Sequence, residues 1–230
     1  MMMDVLRTAE IKGLLRANSD PCISIYCPTH EKGTEAKEDS IRFKNLLRKC
    51  EKHLQARGIS RDQLARLLQP AQVMPETSTA WQHLERGLVA FISPGAFRTF
   101  TLPLECREQA WVGTRFYLKP LAALCDGERR LCILAHYRDL FGHGHASDRL
   151  EEIVPAARLG RVHTLLLDPT ACAWANGGAT DASGPVEPEQ NRLDLLDVAV
   201  RWTLSRGGAV YAVARGDLPA QSPVGAILRY

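Results

Sequence analysis

The feature that most constrains this chain is a short apolar strand followed closely by a long two-faced helix. In "CISIYC", residues 22–27, Ile23 and Ile25 alternate with Ser24 and Tyr26 before Pro28 stops the ladder, a pattern that predicts a β-strand. In "GTEAKEDSIRFKNLLRKCEKHLQARG", Thr34 is placed to cap, the acids Glu35, Glu38 and Asp39 come first, bases crowd the end, and Gly58 terminates. These are ordered start and stop signals of a helix. At about 100° per residue, Phe43, Leu46, Leu47, Cys50 and Leu54 share one face, while Lys37, Lys44, Arg48 and Lys52 share the opposite one. Ile41 falls on the basic side. It is either a stray apolar residue on a solvated face, or covered by another part of the chain, or placed for a partner.

A second helix is announced by "SRDQLARLLQP", where Ser60 and Gln63 have capping-box spacing and Pro70 is expected to end the run. A buried strand over residues 88–92, a turn at Pro94 and Gly95, and a return strand over residues 97–102 form a hairpin signature. The four-residue apolar run of Leu131, Cys132, Ile133 and Leu134 reads as a strand over residues 130–135, covered on both faces. It is followed without any turn residue by a helical pattern from His136, so two pieces of chain look joined there.

Beyond that seam, "SDRLEEIVPAARLG" is helical with an expected interruption at Pro155, and "VHTLLLD" and "ACAWA" are short strands. The segment "NGGATDASGPVEPEQN" is the most loop-like part. The helix "NRLDLLDVAVRWTLSRGG" follows, with Asn191 as a cap candidate, and "AVYAVA" and "VGAILRY" are final strands. Strands and helices mix throughout. The expected fold class is α/β: two small mixed α/β layer domains joined directly by a helical linker, with residues 1–135, 136–146 and 147–230 as first domain, linker and second domain.

Composition narrows the function classes. A formal net charge of +3 among 230 residues is too small for a protein that coats nucleic acid by charge, so any such contact has to be local. No run approaches the roughly 18 apolar residues that would span a bilayer, and the first residues lack the apolar core of a secretion signal. A cytoplasmic location with no membrane partner is expected. The seven cysteines are scattered, mostly in apolar segments, with no Cys-x-x-Cys pair, and read as small core residues.

Candidate chemistry is sparse. His143 and His145 flank Gly144 near His136, but strong zinc patterns place ligands in defined pairs and helical ligand pairs sit at i and i+4, a spacing His-x-His does not have, so no metal is expected. No nucleophile elbow, phosphate loop or dinucleotide fingerprint occurs, and no acid–base constellation can be named. Neither a cofactor nor an enzymatic activity is expected. The functional surface is expected at Thr29, His30 and Lys32 after the first strand, with Arg42, Lys44, Asn45, Arg48 and Lys52 on the helix. Lys and Arg neutralise phosphates while His and Asn add hydrogen bonds, a combination that suits RNA.

Taken in order, "PCISIYCPTH", "IRFKNLLRKCE", "GLVAFISPGAFRTFTLPLE", "FYLKPL", "ASDRLEEIVPAARLGRVHTLLL", "GGAVYAVARGDLP" and "SPVGAILRY" resemble the bacterial archaeo-eukaryotic release factor family, most closely its family three. The resemblance covers nearly the whole chain. It implies a first domain to about Ala135 and a third, release-factor- or pelota-like domain from about His136, with the middle domain missing between them. Release factors carry a hydrolytic Gly-Gly-Gln loop in that middle domain. Here the Gly-Gly pairs are Gly177-Gly178, in the loop-like segment, and Gly207-Gly208, at a helix end, each followed by alanine. The stop-codon-reading Asn-Ile-Lys-Ser sequence is also absent. The resemblance therefore implies a non-catalytic protein associated with the ribosome or with structured RNA, and no DNA role. It leaves room for a protein partner on the C-terminal domain. The alternatives are a self-associating interaction module, in which the strand "VGAILRY" pairs at a sheet edge, or a degenerate family member.

Overall fold

The computed structural model describes residues 4–5, 8–30, 34–74, 81, 86–102, 106–124, 127–174, 177–180 and 194–229. Helices and strands alternate in an α/β fold with two main sheets. The chain divides into two units, one ending at Tyr117 and the other beginning at Leu118.

The first unit is built on a five-stranded sheet of order β1-β4-β3-β2-β5. Its strands are β1 (Asp4–Val5), β2 (Cys22–Pro28), β3 (Gly87–Ser93), β4 (Ala96–Leu102) and β5 (Gln109–Gly113), antiparallel except for the parallel β1 and β4 pair. Helix α1 (Thr8–Arg16) precedes β2, and helices α2 (Thr34–Ala56) and α3 (Arg61–Val73) connect β2 to β3. The apolar faces of α2 and α3 supply Phe43, Leu46, Leu47, Cys50, Leu54, Leu64 and Leu68 to a core completed by Ile23, Ile25, Cys27, Leu88, Ala90 and Ile92 of the sheet. The face expected from the helical period is the buried one. The alternation in β2 is not an inside and an outside, because Ser24 and Tyr26 are also buried. Tyr26 packs edge-on against Phe91, its hydroxyl donates to the Tyr117 carbonyl at 2.6 Å, and Ser24 Oγ accepts from the Tyr117 N–H at 2.9 Å. Those bonds satisfy the polar groups that burial would otherwise leave orphaned.

Local signals at the α2–α3 corner behave as the sequence implies. Gly58 ends α2 at φ +82°, and Ser60 and Gln63 form the reciprocal capping box that starts α3. Pro70 does not end α3, which runs on to Val73. The lost hydrogen bond is outweighed by burial of Ala71 and Met74 on the far side of the proline.

The second unit has a four-stranded sheet of order β10-β7-β11-β6, from β6 (Ala146–Ser147), β7 (Val162–Leu167), β10 (Ala209–Ala212) and β11 (Val224–Leu228). Helices α5 (Leu150–Arg158) and α6 (Leu195–Ser205) bury Ile153, Ala157, Leu196, Ala199 and Val200 against Leu165, Leu167, Val224 and Ala226. Helix α4 (Gly127–Leu140) covers the other face, where Leu134 and Tyr137 meet Leu166, Tyr211 and Ile227. A short 3-10 helix, Lys119–Leu124, precedes α4, and β8 (Cys172–Trp174) pairs with β9 (Gly177–Thr180).

Several expectations change here. Residues 130–135 are not a strand but the middle of α4, which runs unbroken through the supposed seam. Leu134 and Tyr137 are three apart and both buried, so helical spacing across residue 135 governs the segment. The expected boundary at 135 thus falls inside a helix, and the units divide between Tyr117 and Leu118. Pro155 does not interrupt α5, since Ile153 and Ala157 are buried on either side of it. Gly177 and Gly178 lie in β9 rather than in a loop. Strand β11 is not a free edge, being paired along its length with β7 and over Ala226 and Ile227 with β6. Asp194, not Asn191, caps α6, accepting from the Leu196 N–H; Asn191 and most of the loop around residue 180 lie outside the described residues.

Candidate nucleic-acid interface

The anticipated surface separates into two parts. At the end of β2, Thr29 is buried and its N–H donates to the Arg86 carbonyl at 3.1 Å. It closes the strand rather than facing solvent. His30 donates its backbone N–H to Asp39 Oδ2 at 2.7 Å, and its Nδ1 lies 2.9 Å from Asp39 Oδ1. Arg42 comes within 3.5 Å of the same Oδ1 and of Glu38 Oε2. Asp39, only 1% exposed, therefore gathers His30 and Arg42 around one carboxylate. Lys32 lies outside the described residues.

The second part is the outer stripe of α2. Asn45, Arg48 and Lys52 are exposed and Lys44 is half-buried. Arg48 donates to Asn45 Oδ1 at 3.4 Å, and no described acid pairs with Lys44, Arg48 or Lys52. Ile41 is 57% exposed on this stripe. The neighbouring Lys49 is instead engaged by Glu108 at 3.9 Å. A helix thus presents a row of uncompensated cations, an amide and one apolar side chain, which is suited to a polyanion with local apolar surface.

Asp39 was named in the sequence only as an early helix acid. Its detectable signal was position: one turn before Phe43, it lies on the apolar stripe of α2, where a carboxylate needs partners. Cys27, just beneath, is no nucleophile, because burial and the neighbouring Cys106 and Asp39 hold its thiol far above the ordinary range.

The second unit holds a charge cluster that the sequence did not disclose. Lys119 Nζ lies 2.8 Å from Asp194 Oδ2, with both side chains at most 1% exposed, and also donates to the Ala171 carbonyl. Asp194 Oδ1 accepts from the N–H groups of Ala173 and Leu196. One turn on, Asp197 Oδ1 accepts from the N–H groups of Leu118 and Lys119 at 2.8 and 2.9 Å. Burial pushes the Asp197 carboxyl up to about 6, opposed by Arg201 and by those two N–H groups. Removing one partner of so buried a pair leaves an uncompensated charge, a loss of about 3 to 5 kcal/mol. The cluster pins the 3-10 helix to α6.

The histidines of "GHGH" sit in the exposed turn that ends α4, where Gly142 and Gly144 take φ of +87° and +80°. His143, His145 and His136 are exposed, and among the described residues no cluster of His, Cys, Asp and Glu is arranged to hold a metal. No described helix is long and apolar enough to cross a membrane. Neither a scan against protein-family models nor a search of curated proteins finds a match for this chain.

Proposed function

We propose that this protein binds structured RNA, as presented by the ribosome, through the outer face of α2, and that it does so without catalysing a reaction. The observation carrying this reading is the stripe of Lys44, Arg48 and Lys52, aligned on one helix with no described acid to neutralise it, beside Asn45 and the exposed Ile41. Cations with a turn-length spacing on a rigid helix meet successive phosphates without first paying to order themselves. The resemblance to release-factor-like proteins supplies the partner class, and the absence of a Gly-Gly-Gln loop supports a binding rather than a hydrolytic role. The cluster around Asp39 fixes the start of the same helix and so sets the stripe's orientation.

Co-sedimentation of the chain with bacterial ribosomes at near-physiological salt tests the reading. Association should be retained by the unaltered protein and lost when Lys44, Arg48 and Lys52 are all changed to Ala. These residues lie outside the core, so the variant should keep its fold by circular dichroism. Undiminished association of that variant would remove the α2 face as the interface.

A further inference from the structure

The first unit holds a cleft of about 490 Å³ at the α2–α3 corner and the tip of the β3–β4 hairpin. That volume lies in the range of small-ligand sites. Its walls are apolar: Pro21 before β2, Ile59 between the helices, Leu67 on α3 and Pro94 in the hairpin turn. Its polar groups are of three kinds. Arg66 is exposed and has no ion-pair partner among the described residues. Arg57 is held by its Nη2 on both oxygens of Asp20, at 2.9 and 3.0 Å. Gln63 accepts the Ser60 backbone N–H and lies 3.1 Å from Ser60 Oγ through its Oε1, which leaves its amide nitrogen as a donor.

The cleft therefore offers an unspent cation, apolar walls around a space of small-ligand size, and an amide donor with a carboxylate acceptor. An anion alone would use only the first, and an aromatic body alone only the second. We infer that this cleft binds a nucleotide, with the phosphate on Arg66, the base between the apolar walls, and the base edge toward Gln63 and Asp20. The inference rests on the RNA-binding reading for its ligand class. The same chemistry is presented by a free mononucleotide and by a terminal nucleotide of an RNA strand. Arg66 and Arg57 flank the site, but Asp20 already occupies Arg57, which is why the phosphate is assigned to Arg66.

Isothermal titration of the full chain with the four ribonucleoside 5′-monophosphates, their nucleosides, inorganic phosphate and a 5′-phosphorylated RNA tetramer tests it. A monophosphate should bind about tenfold more tightly than its nucleoside, the scale of one hydrogen bond to a charged group, and more tightly than phosphate. Arg66→Glu should remove that advantage over the nucleoside, while changing Lys44, Arg48 and Lys52 to Ala should leave mononucleotide binding intact. A mononucleotide bound more tightly than the tetramer marks a free-nucleotide site, and the reverse order marks an RNA terminus; both support the inference. Monophosphates that bind no better than phosphate, or as well in Arg66→Glu, overturn it. If ribosome association is lost with the stripe variant but kept by Arg66→Glu, and mononucleotides do not bind, the cleft falls and the RNA reading stands. If mononucleotides bind through Arg66 while ribosomes do not associate, the RNA reading falls and the cleft stands.

Discussion

Asp197 shows how one buried side chain can set a pH response. Its carboxyl is raised from about 3.8 unfolded to about 6 in the fold, by burial first, so between those values the folded chain keeps a proton that the unfolded chain has released. Stability contributed by that proton is present below pH 4 and is lost as pH rises through 6. In Asp197→Asn the side chain keeps an oxygen for the Leu118 and Lys119 N–H groups but has nothing to titrate. The melting temperature of the natural protein should fall relative to that variant between pH 4 and 7. A constant difference across the range would show that Asp197 titrates alike in both states.

At the scale of elements, α4 and β11 meet in a close fit. A β-carbon at Gly225 would stand 2.7 Å from Tyr137 Cζ, so the strand must be bare there for the tyrosine to seat. Gly225→Ala should cost about 1 to 3 kcal/mol, as overpacking does, measured by urea unfolding; Tyr137→Leu in the same chain should recover part of it. An unchanged midpoint for the single variant would mean that the ring moves freely. This contact also explains what the sequence could and could not reveal. The faces of α2, the capping box at Ser60 and the hairpin turn at Pro94 and Gly95 were legible because each depends on residues a few positions apart. The run of Leu131 to Leu134 was misread because four adjacent apolar residues fit either period, and only Tyr137 and its distant partner Gly225 decide between them. Lys119 and Asp194 were invisible for a related reason, being 75 residues apart. In the candidate interface, the cationic stripe was readable from α2 alone, whereas the burial of Thr29 follows from its pairing with Arg86 across the sheet.

For the molecule as a whole, a net charge of +3 sets the electrostatics. Long-range attraction to a polyanion is weak, so RNA affinity should depend on the few cations that reach phosphates. With the three cations of the α2 stripe engaged, the logarithm of affinity should fall against the logarithm of salt with a slope near −3, from about 0.9 per phosphate on duplex and less on single strands. The Lys44, Arg48 and Lys52 to Ala variant should flatten that slope toward zero. A steep slope that survives in the variant would place the contacts elsewhere on the chain.

The unbroken course of α4 governs where this chain could accept additional sequence. A cut at residue 135 would separate Leu134 from Tyr137, two side chains seated in the same core cluster, and would require each half to dock by itself. The glycine turn after α4, with Gly142 and Gly144 exposed and already in left-handed conformation, carries no such packed side chain. Extra residues grafted between Gly142 and Gly144 would spare the helix, whereas the same graft at 135 would divide it.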